Sequence, residues 1–210
     1  MSQVQSVEPA ETVPGGPAAD RAARVFTEVL SPAHLVIAIT FLSGLAAPGE
    51  WWIKVSWGLA ASLFTGIIPY VVGLRAIAKG RLSSRHLPDR RERIRPMAWT
   101  LLSVLVGWGL LIAANAPTTV LAVQAAMVAG AVIALAITSV WKISLHAGVA
   151  GSAALCACAL FGWWLWPVWL LVLAVGWSRV QLRDHTVAQV VAATMIGGAS
   201  AAAAFWVLRS

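Results

Sequence analysis

Residues 178–185 read Ser-Arg-Val-Gln-Leu-Arg-Asp-His and are followed by Thr-Val-Ala-Gln at 186–189. Two arginines, an aspartate and a histidine therefore stand at the mouth of a segment whose other residues have the composition of a membrane span. Placing an ionisable side chain inside a membrane costs free energy, so those found there usually have a function in binding or catalysis. This stretch is the first candidate for a functional site, and it indicates a membrane fold that brings polar groups to one end of a helix bundle.

Two further polar clusters lie upstream in the same apolar chain. Residues 89–96 read Asp-Arg-Arg-Glu-Arg-Ile-Arg-Pro, and residues 142–146 read Lys-Ile-Ser-Leu-His. An arginine-rich loop alone is typical of a cytoplasmic loop that fixes topology and binds lipid headgroups, and a lone histidine at 146 is typical of a helix end. The combination of three clusters is what favours a functional interpretation.

Composition predicts an all-α polytopic transmembrane helix bundle, because 60% of the 210 residues are hydrophobic and only 11% are charged. Residues 1–27, which carry several Pro and Gly residues and three acidic ones, are expected to form a disordered tail, and residues 28–210 the helical domain. Gly148, Gly151 and the small residues at 197–201 are expected to let helices pack closely. Seven spans are predicted, or six if the first is interfacial, from apolar runs at about 32–47, 51–78, 97–116, 118–140, 147–164, 166–177 and 187–208.

Seven spans would place the three clusters on one face of the membrane, because the segments after the second, fourth and sixth spans emerge on the side of the tail. In that topology thirteen basic residues lie on the tail side and two, Lys54 and Arg209, on the other. The positive-inside rule then predicts a multi-pass plasma-membrane protein whose tail and site face the cytoplasm. The net charge of +7 is explained by topology and phosphate chemistry, so no nucleic-acid partner is expected.

The three clusters resemble the signature motifs of the type 2 phosphatidic acid phosphatase (PAP2) superfamily over residues 88–189. The family pattern is a Lys followed by Arg-Pro, then Pro-Ser-Gly-His, then Ser-Arg, five residues, His, three residues and Asp. The third motif matches in residue type and spacing up to its histidine. The matching positions are Arg95 and Pro96 in the first motif, Ser144 and His146 in the second, and Ser178, Arg179 and His185 in the third.

The resemblance implies a hydrolase that removes phosphate from a lipid through a phosphohistidine. His185 would attack phosphorus, and His146 would protonate the departing alcohol. Guanidinium groups suit phosphate oxygens because they donate in a planar fork. The residues expected to bind the phosphate are Arg91, Arg95, Lys142, Ser144 and Arg179.

Gln189 stands where the family has the aspartate that orients the nucleophilic histidine. It lies four residues after His185, and its carbonyl can accept a hydrogen bond from the imidazole and fix the tautomer, although it brings no negative charge. Asp184 is a second source of negative charge, but a residue adjacent to His185 would point elsewhere on a helix. Gln189 is therefore predicted to be the residue that orients His185.

The other two motifs also differ from the family pattern. Ile143 and Leu145 replace a proline and a glycine, which would make Ser144 an N-cap whose neighbouring backbone N–H groups favour an anion. Pro88 replaces the lysine of the first motif, and an arginine at 90, 91 or 93 could supply that charge, with Arg91 preferred.

The expected substrate is a lipid phosphomonoester or diphosphate, such as a polyprenyl-linked phosphate, and the partners are this lipid and the surrounding membrane lipids. No metal or other cofactor is expected, because the eight acidic residues do not form the Asp-rich pairs that hold magnesium. The sequence leaves open whether the protein is a homo-oligomer. The alternatives are a non-catalytic phospholipid-binding or transport protein that keeps a phosphate pocket, and a membrane scaffold whose clusters only fix topology.

Overall fold

The computed structural model describes the backbone of residues 16–79 and 90–209, and the side chains in these ranges except those of residues 90–93 and 209. All regular elements in these ranges are helices, which confirms the predicted fold class. They are α1 Pro17–Val29, α2 Pro32–Leu45, α3 Trp51–Ser62, a π-helical turn Leu63–Ile67, α4 Ile68–Ala78, α5 Arg90–Ala113, α6 Thr118–Val140, α7 Leu145–Phe161, a 3₁₀ turn Trp163–Val168, α8 Trp169–Gln181 and α9 Val187–Arg209.

In the described part of the chain, five helices are long and apolar enough to cross a membrane: Trp51–Ala78, which joins α3 and α4, then Ile94–Ala113, Thr118–Val140, Trp163–Gln181 and Val187–Leu208. The pair formed by α1 and α2, bent by 44°, raises the number to six if it is one span. The remaining apolar run is α7, which is shorter at 17 residues. By length and composition the chain is thus a polytopic membrane bundle, and the five or six spans in its described part are roughly consistent with the six to seven predicted.

The first helix corrects the predicted tail. Residues 17–27, expected to be disordered, belong to α1, while residues 1–15 lie outside the described part of the chain. The helix is amphipathic: Ala23 and Thr27 are buried, whereas Arg21 and Arg24 are exposed. Its buried face packs on α8, where Phe26 meets Trp177 edge-on with ring centroids 6.2 Å apart. An amphipathic stripe can therefore hold a helix whose overall composition is that of a loop.

A π-helical turn in the long α3–α4 helix is stabilised by polar side chains of neighbouring helices. A π turn breaks the regular backbone hydrogen-bond ladder. Gln124 of α6, fully buried, donates from Nε2 to the Ala61 carbonyl at 3.1 Å and accepts from Thr65 Oγ1 at 2.6 Å. Ser103 of α5 donates to the Phe64 carbonyl at 2.6 Å. These side chains provide hydrogen bonds to carbonyl groups at the π-helical turn, because no water is available to do so inside the bundle.

Small residues set the distance between α7 and α9, as predicted. A Cβ built on Gly197 would overlap the backbone of Gly148, and one on Gly151 would lie 2.7 Å from the Thr194 carbonyl oxygen. The two backbones therefore approach as closely as glycine allows. This contact matters for the site because α7 and α9 each begin at one of the two candidate catalytic histidines.

Candidate functional site

The site is built on the carboxy-terminal end of α8. Arg183 has a φ of 57°, the left-handed conformation that commonly closes a helix. In the resulting turn, the backbone N–H groups of Asp184 and His185 both donate to the carbonyl oxygen of Arg179, with N···O distances of 3.1 and 3.2 Å. The chain between Arg179 and His185 is therefore a tight reversal, and both side chains reach the same cavity.

Arg179 is buried, with 3% of its surface exposed. Its Nη2 lies 2.7 Å from Asp184 Oδ2, and its Nη1 donates to Thr27 Oγ1 at 3.2 Å. The Thr27 hydroxyl donates to Ser178 Oγ at 3.2 Å, and Ser178 Oγ donates to the Val175 carbonyl at 2.7 Å. A buried guanidinium needs an opposite charge and hydrogen-bond partners, and this chain of contacts supplies both.

His185 precedes α9 and is held by the first turn of that helix. Its Nδ1 lies 3.2 Å from Gln189 Oε1, which also accepts from the Thr186 N–H at 3.2 Å. In return the Gln189 N–H donates to Thr186 Oγ1 at 3.3 Å, so Thr186 and Gln189 form a capping box. Because an amide oxygen only accepts, Nδ1 carries the hydrogen in this contact, and Nε2 of the neutral ring is the nitrogen that carries none. This is the geometry predicted for Gln189.

Ser144 and His146 stand at the amino-terminal end of α7. Ser144 is the N-cap, as predicted, and its Oγ accepts from the Ala147 N–H at 3.4 Å. Both side chains are buried. The first amides of a helix and its dipole favour an anion, so the start of α7 adds to the positive potential that Arg179 creates.

A cavity of about 400 Å³ is lined by four of the predicted site residues, Ser144, His146, Arg179 and His185. Its other walls are mostly apolar and come from α2, α4, α5, α6, α7 and α9. On α6 the lining residues run from Ala126 to Ala134, a distance of about 12 Å at ~1.5 Å per residue. The cavity is thus a slot with a polar end, a shape that suits an amphipathic ligand.

Two predicted phosphate-binding residues do not line this cavity. Pro96, Thr100 and Val104 line it at intervals of four residues and so define the cavity face of α5, and the exposed side chain of Arg95 lies beside that face. Lys142 is half-buried in the connection before α7 and is also absent from the lining. The prediction that these two residues hold the phosphate is therefore not supported by the structure. The side chain of Arg91 lies outside the described part of the molecule.

The structure also places residues in the site that sequence reasoning missed. Thr27 lies in the segment predicted to be a tail, although the apolar and small residues that recur around Ala23 indicate a helix face. The prediction that Asp184 points away is wrong, because the left-handed Arg183 turns it back onto Arg179. Glu28, Ser31, His34 and Tyr70, at the bend between α1 and α2 and on α4, line the same cavity.

Among the residues described, no group of three or more His, Cys, Asp or Glu side chains is placed to hold a metal ion. Comparison of the chain with protein-family models, curated proteins and solved structures gives no significant match.

Proposed function

We propose that this membrane protein is a lipid phosphate phosphatase that works through a phosphohistidine without a metal, as the PAP2-like motifs suggest. One observation carries the proposal: a single cavity holds both candidate catalytic histidines, a buried arginine and a helix N-cap serine at the end of an apolar slot. Phosphate chemistry needs a nucleophile, an acid and positive charge around the phosphoryl oxygens, and these residue types supply them.

In the proposed reaction Nε2 of His185 attacks phosphorus while the bond to the lipid oxygen breaks. His146 gives a proton to that oxygen, so a phosphomonoester releases the lipid as an alcohol and a diphosphate releases it as a monophosphate. Water then attacks the phosphohistidine, releases inorganic phosphate and restores neutral His185, with His146 accepting the proton of the water. Gln189 holds His185 in the required tautomer through the 3.2 Å contact at Nδ1.

The phosphoryl oxygens would be held by Arg179 and by the start of α7 with Ser144. Arg179 is already positioned by Asp184 and Thr27, so little side-chain entropy is lost when the phosphate binds. Asp184, whose side chain is 45% exposed, keeps the guanidinium in place while it lowers the net charge of the site.

The apolar part of the cavity favours a lipid substrate, a phosphomonoester or diphosphate such as a polyprenyl-linked phosphate. The charge asymmetry of the sequence supports a plasma-membrane protein with its site facing the cytoplasm. A reporter active only outside the cell, inserted in the segment between α4 and α5, should give no signal in intact cells. A signal from that insertion would place the site on the outer face.

A non-catalytic phospholipid-binding or transport protein is the second candidate, and two observations favour it. Gln189 brings no charge to stabilise an imidazolium, and Arg179 already pairs with a carboxylate at 2.7 Å. Such a protein would bind lipid phosphate but form no phosphohistidine.

The deciding experiment measures phosphate release by the purified protein in detergent, with EDTA present, from phosphatidic acid, a prenyl phosphate, a prenyl diphosphate and a prenyl-phosphosugar phosphate. His185→Ala should lower the rate by more than ~10³-fold, as loss of a nucleophile does in other enzymes. Val187→Ala is the matched control, because this neighbouring side chain is 62% exposed and does not line the cavity. Substrate labelled in its phosphate should leave an acid-labile label on the wild-type protein alone. Lipid phosphate binding without turnover or label would instead favour the second candidate.

A further inference from the structure

The apolar part of the cavity ends in a closed floor. On α6, Ala126 and Met127 line the cavity but are buried, whereas Ala131, one turn nearer the polar end, is partly exposed. On α5 the same change occurs between Thr100, which is partly exposed, and Val104, which is 2% exposed. The accessible space therefore narrows along both helices and closes at the level of Ala126 and Val104.

A polar cross-link between helices lies directly behind this floor. Gln124, fully buried and two residues before Ala126, donates to the Ala61 carbonyl at 3.1 Å and accepts from Thr65 Oγ1 at 2.6 Å. Thr65 itself lines the cavity and is 4% exposed. If Thr65 moved aside, a buried amide oxygen would lose its hydrogen bond, which costs free energy. The floor is therefore held in place by hydrogen bonds as well as by packing.

The floor lies at a defined distance from the phosphate end of the cavity. Because α6 ends at Val140, shortly before Ser144, Ala134 is the lining residue of this helix nearest the polar end and Ala126 the farthest from it. The rise between these two residues is about 12 Å at ~1.5 Å per residue. An extended chain advances about 1.2 Å per bond, so this depth accommodates about ten carbons.

The walls between the polar end and the floor suit a hydrocarbon chain. The residues of α6 that line the cavity are all Ala, Gly or Met, and α4 adds Pro69, Gly73, Leu74 and Ile77. Small residues leave width for a chain, and apolar walls offer water few hydrogen bonds. A chain that continues from a phosphate at the polar end would bury its methylene groups against these walls, which is favourable.

On the basis of the proposed function, we propose that this slot limits the chain length of the substrate. Its closed floor, formed by Thr65, Val104, Ala126 and Met127, meets the end of a single hydrocarbon chain of about ten carbons whose phosphate lies on Arg179. The substrate class is then lipid phosphates with one chain of about this length. A longer chain cannot lie straight in the cavity.

The test is the equilibrium binding of straight-chain alkyl phosphates of increasing length to protein that carries His185→Ala, which removes the proposed nucleophile and so prevents turnover. At each length, the Kd of a further variant is divided by the Kd of the protein with His185→Ala alone. The partition of the alkyl phosphate into detergent cancels in this ratio. The chain length at which the ratio first departs from one shows whether the chain reaches the substituted residue.

Ala131→Leu should affect all but the shortest chains, because it enlarges a side chain about 4.5 Å from Ala134 at ~1.5 Å per residue. Chains of up to about four carbons should bind as before. Longer chains should bind more weakly, by about 4-fold for each methylene displaced, which corresponds to ~0.8 kcal/mol. Ala136→Leu is the matched control, because it makes the same change on α6 at an exposed position outside the cavity lining and should leave the ratio at one.

Val104→Ala should act only on chains that reach the floor. The ratio should stay at one up to about nine carbons and fall for chains of about eleven or twelve, because the smaller side chain makes room for them. The fall should again be about 4-fold for each additional methylene buried.

Departures that begin early for Ala131→Leu and late for Val104→Ala would support the closed slot. No length-dependent effect of Val104→Ala would show that the chain leaves the slot before the floor, which would overturn the limit on chain length and leave the phosphate site intact. Absence of binding at every length would overturn both. The two different onsets in a protein whose wild type releases no phosphate from these esters would support the slot and overturn the phosphatase.

Discussion

Gln189 shows how one side chain can serve the fold and the site together. Its Oε1 accepts from the Thr186 N–H and from His185 Nδ1, each at 3.2 Å, so the group that caps α9 also orients the candidate nucleophile. The spacing of four residues between His185 and Gln189 could be predicted to allow this contact. The predicted reason for the contact is wrong, however. His185 precedes α9 and does not share a helix face with Gln189.

Substitutions of Gln189 should separate these two roles. Gln189→Glu keeps an oxygen acceptor at the same reach and adds a charge that stabilises the imidazolium, so phosphate release should rise about tenfold or more. Gln189→Ala removes both contacts, which should lower the rate and reduce the free energy of unfolding by about 1 kcal/mol. The two variants are measured by phosphate release and by thermal unfolding in detergent.

Thr186→Ala is the control, because it removes the hydroxyl half of the capping box and leaves the acceptor for His185 in place. It should therefore lower stability with little change in rate. A Gln189→Glu protein that folds normally but releases phosphate more slowly than wild type would contradict an orienting role for Gln189.

The helices that carry the site are fixed by backbone contact between α7 and α9. These helices begin beside His146 and His185, so any change in their separation moves one histidine relative to the other. A Cβ on Gly197 would overlap the Gly148 backbone, whereas one on Gly198 meets nothing within 4 Å. Adjacent glycines of the same helix thus offer a matched pair.

Gly197→Ala should destabilise the protein by about 1–3 kcal/mol, the usual effect of overpacking a core, and should reduce phosphate release through the displaced histidines. Gly198→Ala should be neutral or slightly stabilising, since alanine favours a helix over glycine by up to ~1 kcal/mol. Thermal unfolding in detergent, followed by helical circular dichroism, gives both values. Equal stability of the two variants would show that α7 and α9 can separate without cost.

The apolar runs allowed the helices and their order to be predicted. A membrane span must form all its backbone hydrogen bonds within itself, so it is a long apolar helix that can be recognised from the sequence. α1 could not be predicted in this way, since its stability comes from a narrow buried face around Ala23 and Thr27 that packs on α8.

The site could be predicted in part. The sequence motifs were expected to lie together, and the cavity is indeed lined by Ser144, His146, Arg179 and His185. Whether Arg95 reaches it depends on the rotation of α5, which spacing along the sequence does not determine. The pairing of Asp184 with Arg179 depends on the single left-handed residue Arg183.

Taken as a whole, the molecule is a helix bundle with an apolar slot that leads to a polar end. Residues from eight helices line the cavity, and the length of its apolar part along α6 corresponds to several methylene groups of a lipid chain. If the lipid chain enters the bundle rather than remaining in the surrounding bilayer, the slot is where its first carbons lie. The surface of the cavity then contributes binding free energy in proportion to the chain carbons that it buries.

Gly73→Leu should obstruct this slot. Gly73 lines the cavity, and a Cβ built on it meets nothing within 4 Å, so the backbone position has room for a side chain, and the four carbons of leucine should displace at least two methylene groups of the lipid chain. At ~0.8 kcal/mol for each buried methylene, KM for a long-chain lipid phosphate should rise roughly tenfold, while a short water-soluble phosphate ester should be hydrolysed as before. Gly109→Leu is the matched control, since Gly109 also has open space around its Cβ but lies outside the cavity lining. If Gly73→Leu and Gly109→Leu give the same KM for the long-chain lipid, the chain does not enter the bundle and must remain in the bilayer.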